Sequence, residues 1–368
     1  MKILLLGGTG AMGSPLSRIL SKQGHEVIVS SRSKHTRVDN IKYIHANAKD
    51  LTTIKSVLIN DKYDVIVDFL VYNIQEFSER IDLFLNSTSQ YVFISSCRVF
   101  AVTKGVITEK SPRILDIISK NGDIDYEDYS ITKALQENIL FNHEKKNWTI
   151  IRPSLTYNNY HFPLGPLEKE QWLYRTLRGR NIVFSEDMRN VKTALAYGDD
   201  VAKSIASLIG NNKAFAEDFN IASEHSESWE KILDIYLTIL KDKTNIIPRV
   251  VYGNECIKLK ANNNDSQILY ARGVDRTFNC SKLKAVGLYD IRSPEDGFKE
   301  PLGNFLNKPV FFSIDWKLEA WSDKVSGEFT SFHEIPTFKN KIKYLIFRFG
   351  LEKILYVTVS AIRYHCSA

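Results

Sequence analysis

The sequence predicts an α/β fold built on a doubly wound parallel sheet, and two observations carry this prediction. Short apolar runs alternate with amphipathic helical segments along residues 1–150, which is typical of strand–helix units that pair in parallel. A glycine-rich stretch, residues 7–13, separates the first apolar run from the first helical segment. This order of strand, turn and helix is the context that a dinucleotide-binding turn requires. The sequence therefore predicts a Rossmann-type domain at the N-terminus.

The predicted elements follow from the spacing of apolar residues. We expect strands at 3–6, 26–31, 41–45, 63–70 and 91–96, of which the third is the weakest because only three of its five residues are apolar. We expect helices at 14–23, 51–58, 75–85 and 129–141, and Gly24 ends the first of them. Downstream, the pattern predicts helices at 200–209 and 229–240, a strand at 219–222, and a helix that begins at Trp172 and ends near residues 178–180.

Length and composition favour a folded chain of ordinary character. A hydrophobic content of 43% and 25% charged residues over 368 residues suit a large α/β domain with a smaller second region. The net charge of +6 suits anionic ligands such as nucleotides, but a solvated surface explains it better than a nucleic-acid footprint does. The four cysteines form no CxxC pair and no cluster with histidine, so we expect reduced thiols and no metal site: Cys97, Cys256, Cys280 and Cys366.

The first strand starts directly after Met1, which leaves no room for a signal peptide. No apolar run approaches the roughly 18 residues that a membrane span needs. We therefore expect a cytoplasmic protein.

The glycine stretch predicts a site for a pyrophosphate. Gly7 supplies the tight turn, Gly10 lets the backbone approach the phosphates, and Gly13 lets the helix pack close to the strand. Free backbone N–H groups and the positive end of the helix dipole would hold the anion. We expect Thr9, Ala11 and Met12 in the same turn to contact the cofactor. The alternative is a tight turn that binds no ligand.

The end of the second strand bears on cofactor choice. An NAD-binding unit places an acidic residue near this point, whereas this sequence has Ser31 and Arg32. An arginine here favours a 2′-phosphate, so we predict NADP, with NAD as the alternative. A surface arginine without a ligand is the competing explanation.

A serine, a tyrosine and a lysine form the candidate catalytic group. Ser96 closes the fifth predicted strand, and Tyr129 and Lys133 share one face of a helix because they are four residues apart. A neighbouring ammonium group lowers the pKa of a tyrosine towards the neutral range, and a serine hydroxyl can bond the substrate oxygen as the proton moves. A YxxxK spacing alone also occurs by chance on surface helices. Its order after the glycine turn favours catalysis.

Five stretches carry a resemblance to a known family: GGTGAMG, VFISSCRVF, YSITK, TIIRPS and YGDDVA. Over residues 1–305 the sequence resembles an extended short-chain dehydrogenase/reductase of the NAD-dependent epimerase/dehydratase group. The resemblance implies an NAD(P)-dependent oxidoreductase or epimerase that acts on a hydroxyl or keto carbon of a nucleotide-linked sugar. It also implies a homodimer.

The resemblance assigns roles to individual residues. Ser96 and Tyr129 take the catalytic positions, and Lys133 binds the ribose as well. The cofactor-binding positions that it implies are Gly7, Thr9, Gly10, Ala11, Met12, Gly13, Ser31, Arg32, Asn47, Phe69, Leu70, Lys133, Pro153 and Ser154. The expected substrate-binding residues are Arg98, Tyr157, Arg272 and Arg276, the last two being where family members often contact a diphosphate.

Two departures from the family pattern are informative. The 4,6-dehydratases have an acidic pair directly after the catalytic hydroxyl, whereas this sequence has Cys97 and Arg98. We therefore expect reduction or epimerisation rather than dehydration. The glycine turn, with GHEV and a following arginine, also resembles an atypical branch that includes plastid RNA-binding proteins. A nucleotide- or RNA-binding protein without redox turnover is thus the alternative function.

The remaining chain is less regular. We expect a dinucleotide-binding domain at 1–155 with returning segments near 195–225, a substrate-binding region at 156–305, and an extension at 306–368. The aromatic and arginine residues between 155 and 195 suit either a ligand cradle or a half-buried helix face. The basic and apolar positions in 339–364 predict an amphipathic helix that docks on protein, with an anionic membrane surface as the alternative.

Overall fold

The computed structural model describes residues 1–36, 38, 40–118, 125–253 and 266–351. Its strands are β1 Lys2–Leu6, β2 Glu26–Ser31, β3 Ile41–His45, β4 Tyr63–Asp68, β5 Thr88–Ile94, β6 Val106–Ile107, β7 Trp148–Pro153, β8 Leu155–Tyr157, β9 Ile182–Phe184, β10 Lys192–Thr193, β11 Leu195–Tyr197, β12 Glu217–Ile221, β13 Glu227–Ser228, β14 Val250–Tyr252 and β15 Thr277–Phe278. Its α-helices are α1 Gly13–Lys22, α2 Leu51–Asn60, α3 Ile74–Ser87, α4 Ile114–Ile118, α5 Tyr129–Asn142, α6 Lys169–Thr176, α7 Gly198–Leu208, α8 Trp229–Thr244, α9 Ser281–Val286, α10 Pro294–Gly297, α11 Lys299–Asn307, α12 Trp316–Ser326 and α13 Phe338–Phe349.

A seven-stranded parallel sheet in the order β12-β7-β5-β4-β1-β2-β3 organises the fold. The chain builds outwards from β1 in one direction through β2 and β3, and in the other through β4, β5, β7 and β12. The doubly wound α/β fold predicted from the sequence is confirmed. The strand order reverses between β1 and β4, and a reversal of this kind opens a crevice at the carboxyl ends of the strands.

Alternate residues of the apolar strands pack against helices on the two faces of the sheet. In β1, Leu5 belongs to the core cluster that contains Leu16 of α1, whereas Leu4 belongs to the cluster that contains Phe77 of α3. Burial of both faces explains why β1 is a continuous apolar run.

The boundaries of several elements differ from the sequence-based prediction. β4 ends at Asp68 and β5 at Ile94, so Phe69, Leu70, Ser95 and Ser96 lie in the loops that follow these strands. The predicted helix from Trp172 to 178–180 is wrong in its bounds, since α6 spans Lys169–Thr176. A capping box between the side chains and backbone of residues 168 and 171 sets its start. Gly179, at φ 75°, lies in the turn beyond its end.

A second core lies beyond the sheet and continues into the C-terminal extension. It contains Trp172 of α6, Trp229 of α8, Phe298, and Leu318 and Trp321 of α12. Trp172 of α6 therefore lies on a buried helix face and stacks on Tyr236 of α8. Tyr174 packs on Trp316 of α12 and, with Arg178, also lines an open cavity of about 670 Å³.

The described part of the C-terminal helix docks on α12. The ring of Tyr344 is fully buried, its hydroxyl donates to Asp323 Oδ2 at 2.6 Å, and it accepts a bond from the backbone N of Thr330 at 2.8 Å. α13 ends at Gly350, at φ 70°. The remainder of the predicted helix, including Lys353 and Arg363, lies outside the described residues, as do Cys256 and Cys366.

Within the described ranges, no helix is long and apolar enough to cross a membrane. Over the same ranges, no three His, Cys, Asp or Glu side chains lie together as a metal site would require.

Candidate active site

The glycine turn occupies the crevice between β1 and β4. Gly7 has φ 69°, and a Cβ there would lie 2.7 Å from Leu70 Cδ2. A Cβ on Gly13 would lie 2.6 Å from the carbonyl of Gly8, so the close contact between turn and helix needs glycine. A Cβ on Gly10 would have no atom within 4 Å among the described residues, so this part of the turn faces open space. The backbone at Gly10 and the N-terminus of α1 are thus open to an anionic ligand, which fits a pyrophosphate.

A groove of about 410 Å³ lies beside this turn. Six of the predicted cofactor-binding residues line it: Gly7, Thr9, Ser31, Arg32, Asn47 and Leu70. Sequence reasoning missed Lys49, which brings a second cation to the same groove as Arg32 and whose ammonium group also pairs with Glu76 at 3.6 Å. Lys49 lies two residues after the predicted cofactor-binding residue Asn47, and this proximity could have indicated that it faces the same groove.

A deeper pocket of about 270 Å³ lies at the carboxyl ends of β5 and β7. The predicted residues that line it are Met12, Phe69, Ser96, Arg98, Tyr129, Lys133, Pro153, Ser154 and Arg276. Val71 lines both this pocket and the groove, so the two cavities adjoin. The structure therefore brings the three candidate catalytic side chains together beside the predicted cofactor groove. Ala11 and Gly13 lie in the turn at the start of α1, outside both linings.

Tyr129 is the first residue of α5. The side chain of Asp128 caps this helix by accepting bonds from the N–H groups of Ser130 and Ile131 at 2.7 and 3.1 Å. Burial raises the pKa of the Tyr129 phenol, while the charge of Arg98 and a hydrogen bond with the Ser96 hydroxyl act in the opposite direction. The cap fixes the ring at the pocket wall, next to Ser96.

Lys133 lies one helical turn further along and is fully buried. Its Nζ donates to the carbonyl oxygens of Ile94 at 2.8 Å and Leu70 at 3.4 Å. Burial lowers the pKa of Lys133 to about 8, against the opposing charges of Asp68 and Glu137. Burial also raises the pKa of Asp68, whose carboxylate accepts bonds from the Tyr91 hydroxyl at 2.9 Å and the Leu70 N–H at 3.0 Å.

A buried charge cluster holds α5 against the sheet. The Glu137 carboxylate accepts bonds from Arg152 at 2.8 Å to each oxygen, from Ser95 Oγ at 2.6 Å and from Arg113 at 3.2 Å. Arg152 lies on β7 and also pairs with Asp218 on β12 at 2.6 Å. Because Ser95 precedes Ser96, this cluster links the helix that carries Tyr129 to the loop that carries the serine.

Two predicted substrate-binding residues are placed elsewhere, and these assignments are wrong. Tyr157 is fully buried and packs on Phe298 with ring centroids 3.9 Å apart, because it faces the second core. Arg272 is also buried, donating to the carbonyl of Gly165 at 3.2 Å and pairing with Glu168. Both side chains are engaged within the fold and away from the pocket lining.

Arg276 does line the deep pocket. Its guanidinium donates to the carbonyl oxygens of Phe100 and Ala101 at 3.1 Å each, and to that of Tyr270. Burial lowers its pKa to about 10. In these contacts the guanidinium bonds to neutral carbonyl groups, so its positive charge is not neutralised and this wall of the pocket is positive.

The chain is similar to proteins of known structure and to one characterised plant protein. It is 28% identical over 240 residues to the chloroplast stem-loop binding protein of 41 kDa b from Arabidopsis thaliana, and the match covers 61% of this chain. It spans only 59% of the length of that relative.

Solved structures share the fold at low sequence identity. dTDP-glucose 4,6-dehydratase from Bacillus anthracis, in complex with NAD, is 17% identical with a TM-score of 0.62, over 84% of this chain and 97% of that one. UDP-glucuronic acid 4-epimerase from Bacillus cereus, also in complex with NAD, is 17% identical with a TM-score of 0.60, over 83% of this chain and 96% of that one. The model of one family matches residues 3–222, more than half of the chain. On this evidence the chain belongs to the NAD-dependent epimerase/dehydratase family, the group that its motifs indicated.

Proposed function

We propose that this chain is an NADP-dependent oxidoreductase or epimerase that acts on a hydroxyl or keto carbon of a nucleotide-linked sugar. The observation that carries the proposal is the meeting of Ser96, Tyr129 and Lys133 in one pocket, beside a groove that begins at the glycine turn. Membership of the family supports NAD(P)-dependent chemistry. A homodimer and a cytoplasmic location stay predictions.

The side chains of the pocket suit proton transfer at a carbinol carbon. A nicotinamide bound beside the pocket would exchange a hydride with that carbon. As the hydroxyl becomes a carbonyl, its oxygen loses its proton to the Tyr129 phenolate, and Ser96 donates a hydrogen bond to the same oxygen. Lys133 would hold the ribose of the cofactor, and reduction runs the same proton path in reverse. Dehydration lacks its usual acid and base, because Cys97 and Arg98 follow Ser96.

The groove favours NADP over NAD in this proposal. Arg32 and Lys49 line the end where the adenosine ribose would lie, and two cations suit a 2′-phosphate. The carboxylate that would bond both ribose hydroxyls in an NAD site is replaced by Ser31 at the end of β2. NAD, which two structural neighbours contain, is the alternative cofactor.

The proposal is tested first by the cofactor and then by Tyr129. Nucleotide released from the denatured protein is identified by mass, and binding of both dinucleotides is measured by calorimetry. Tyr129→Phe should keep the dinucleotide but lower turnover on nucleoside diphosphate sugars by about 100-fold or more, since acid–base catalysis contributes at least that much. Tyr126→Phe is the matched control, because this tyrosine is 57% exposed and three residues away. If the protein bound neither dinucleotide, the proposal that it is an enzyme would be rejected.

A second function is favoured by one observation, the similarity to a plant protein named for binding a stem-loop. In this alternative the chain binds structured RNA and the groove binds nucleotide without turnover. Mobility-shift assays with a stem-loop RNA, with and without NADP, distinguish the two. The RNA-binding function would be favoured if RNA binding weakened as salt rose and if Tyr129→Phe bound the RNA as tightly as the unaltered protein.

A further inference from the structure

Arg98 lies closer to the candidate base than its place in the sequence suggests. It belongs to one turn of 3₁₀-helix, Cys97–Val99, which directly follows Ser96. Its backbone N–H donates to Ser96 Oγ at 3.2 Å, and its guanidinium carbon lies 4.7 Å from the centroid of the Tyr129 ring. Its Nη2 donates to Ser266 Oγ, which fixes the far end of the side chain. One short turn thus brings both a hydroxyl and a cation to the same phenol.

Lys133, the cation that the motif predicts for this task, is engaged elsewhere. Its Nζ is directed to the Ile94 and Leu70 carbonyls and lies 4.4 Å from the ring centroid of Phe93. The opposite charge of the Asp68 carboxylate favours the protonated form of Lys133. Of the three cationic side chains that line the pocket, Arg98, Lys133 and Arg276, the one stacked on the Tyr129 ring is Arg98.

We propose that Arg98 is a positioning residue that fixes the ring of Tyr129 and stabilises its phenolate, leaving Lys133 to the cofactor. The inference rests on the proposed function, because it assigns Tyr129 the proton transfer. A cation within about 4–6 Å favours the charged form of its neighbour. A guanidinium also stays charged at every pH at which a protein is active, so its effect persists where a buried lysine would lose its proton.

This assignment gives a physical reason for a departure from the family pattern. An arginine after the catalytic serine is incompatible with the acid that dehydration needs at this point, but it strengthens a base at the head of α5. The 3₁₀ turn that carries Arg98 would thus exclude dehydration and promote proton transfer by Tyr129.

The ionisation of Tyr129 is measured directly, without substrate. Protein carrying ¹³Cζ-labelled tyrosine is titrated by NMR, and the chain has 17 tyrosines, so Tyr129→Phe identifies the signal. In Arg98→Gln the midpoint of the Tyr129 titration should move to higher pH, and in Arg98→Lys it should move much less. Arg178→Gln is the matched control, because Arg178 stacks on Tyr174 at 3.7 Å in the distant α6 region. Circular dichroism and melting curves establish that each variant is folded.

Turnover provides the second measurement. At neutral pH, Arg98→Gln should lower kcat by about tenfold or more, the loss should shrink as pH rises, and Arg98→Lys should restore most of the activity. An unchanged Tyr129 titration in Arg98→Gln would overturn the inference. So would a rise in KM alone, which would make Arg98 a contact for a substrate anion. If Tyr129→Phe kept full turnover, the proposed function would fail, whereas the NMR titration would still decide whether Arg98 acts on Tyr129.

Discussion

Replacing Glu137 by Gln should destabilise the fold strongly, although the two side chains have nearly the same shape. The Glu137 carboxylate is fully buried and faces two guanidinium groups, those of Arg152 and Arg113, as well as the Ser95 hydroxyl. A Gln side chain removes the negative charge and turns one acceptor towards the cations into a donor. Removing one partner of a buried ion pair costs about 3–5 kcal/mol. We expect about 3 kcal/mol, because Arg152 keeps Asp218 and the Arg113 side chain is 16% exposed.

Urea unfolding followed by tryptophan fluorescence measures this loss, since Trp148 packs on Phe141, the ring that the Arg113 guanidinium covers. Glu144→Gln is the matched control: it makes the same chemical change just beyond the end of α5 at an exposed position, where we expect less than about 0.5 kcal/mol. A loss below about 1 kcal/mol in Glu137→Gln, or one equal to the control, would refute the argument that this cluster holds α5 in place.

Three further outcomes follow from the same structure. Arg32→Ala should weaken NADP binding by about 1.5–3 kcal/mol and leave NAD binding nearly unchanged in calorimetry, whereas an equal loss for both would exclude contact with a 2′-phosphate. Burial lowers the pKa of Lys133 to about 8 from 10.5, so between these values the unfolded chain binds more protons and the free energy of unfolding should rise with pH. Lys133→Met should flatten that rise in urea unfolding across the same range, and an identical pH dependence would count against it. Arg175→Gln should cost about 3 kcal/mol and speed hydrogen exchange in Trp316–Ser326, because the buried guanidinium pairs with Glu319 at 2.9 Å and Asp323 at 3.2 Å. Arg178→Gln is the control: because the Arg178 side chain is 37% exposed, this change should alter neither the free energy of unfolding nor hydrogen exchange in that helix.

The parts of the fold that the sequence predicts well are those set by local patterns. β2 and β3 begin and end where the apolar runs predict, and α5 begins at Tyr129 as its motif indicates. β4 is shorter than predicted: Phe69 and Leu70 continue the apolar run, but they lie in the loop after the strand and line the cavities. Apolar character alone does not distinguish a strand residue from a pocket residue.

The errors involve partners that lie far away along the chain. The family resemblance implied that Tyr157 binds substrate, but its ring packs on Phe298 in the second core. Arg272 was likewise expected to contact a diphosphate, but its guanidinium pairs with Glu168. Whether an arginine meets a ligand or a carboxylate depends on tertiary contacts, which spacing does not encode. The stacking of Arg98 on Tyr129 was missed for the same reason.

The walls of the deep pocket combine these features into one electrostatic environment. Three cationic side chains line it, Arg98, Lys133 and Arg276, and no carboxylate does so among the described residues. The carboxylates of Asp68 and Glu137 offset the charge of Lys133, whereas the guanidinium of Arg276 donates to the carbonyl oxygens of Phe100, Ala101 and Tyr270. A pocket with this balance favours ligands that bring negative charge and stabilises a phenolate within it. No acidic residue directly follows Ser96, and a guanidinium lies on the Tyr129 ring; both features result from the presence of Arg98 at this position.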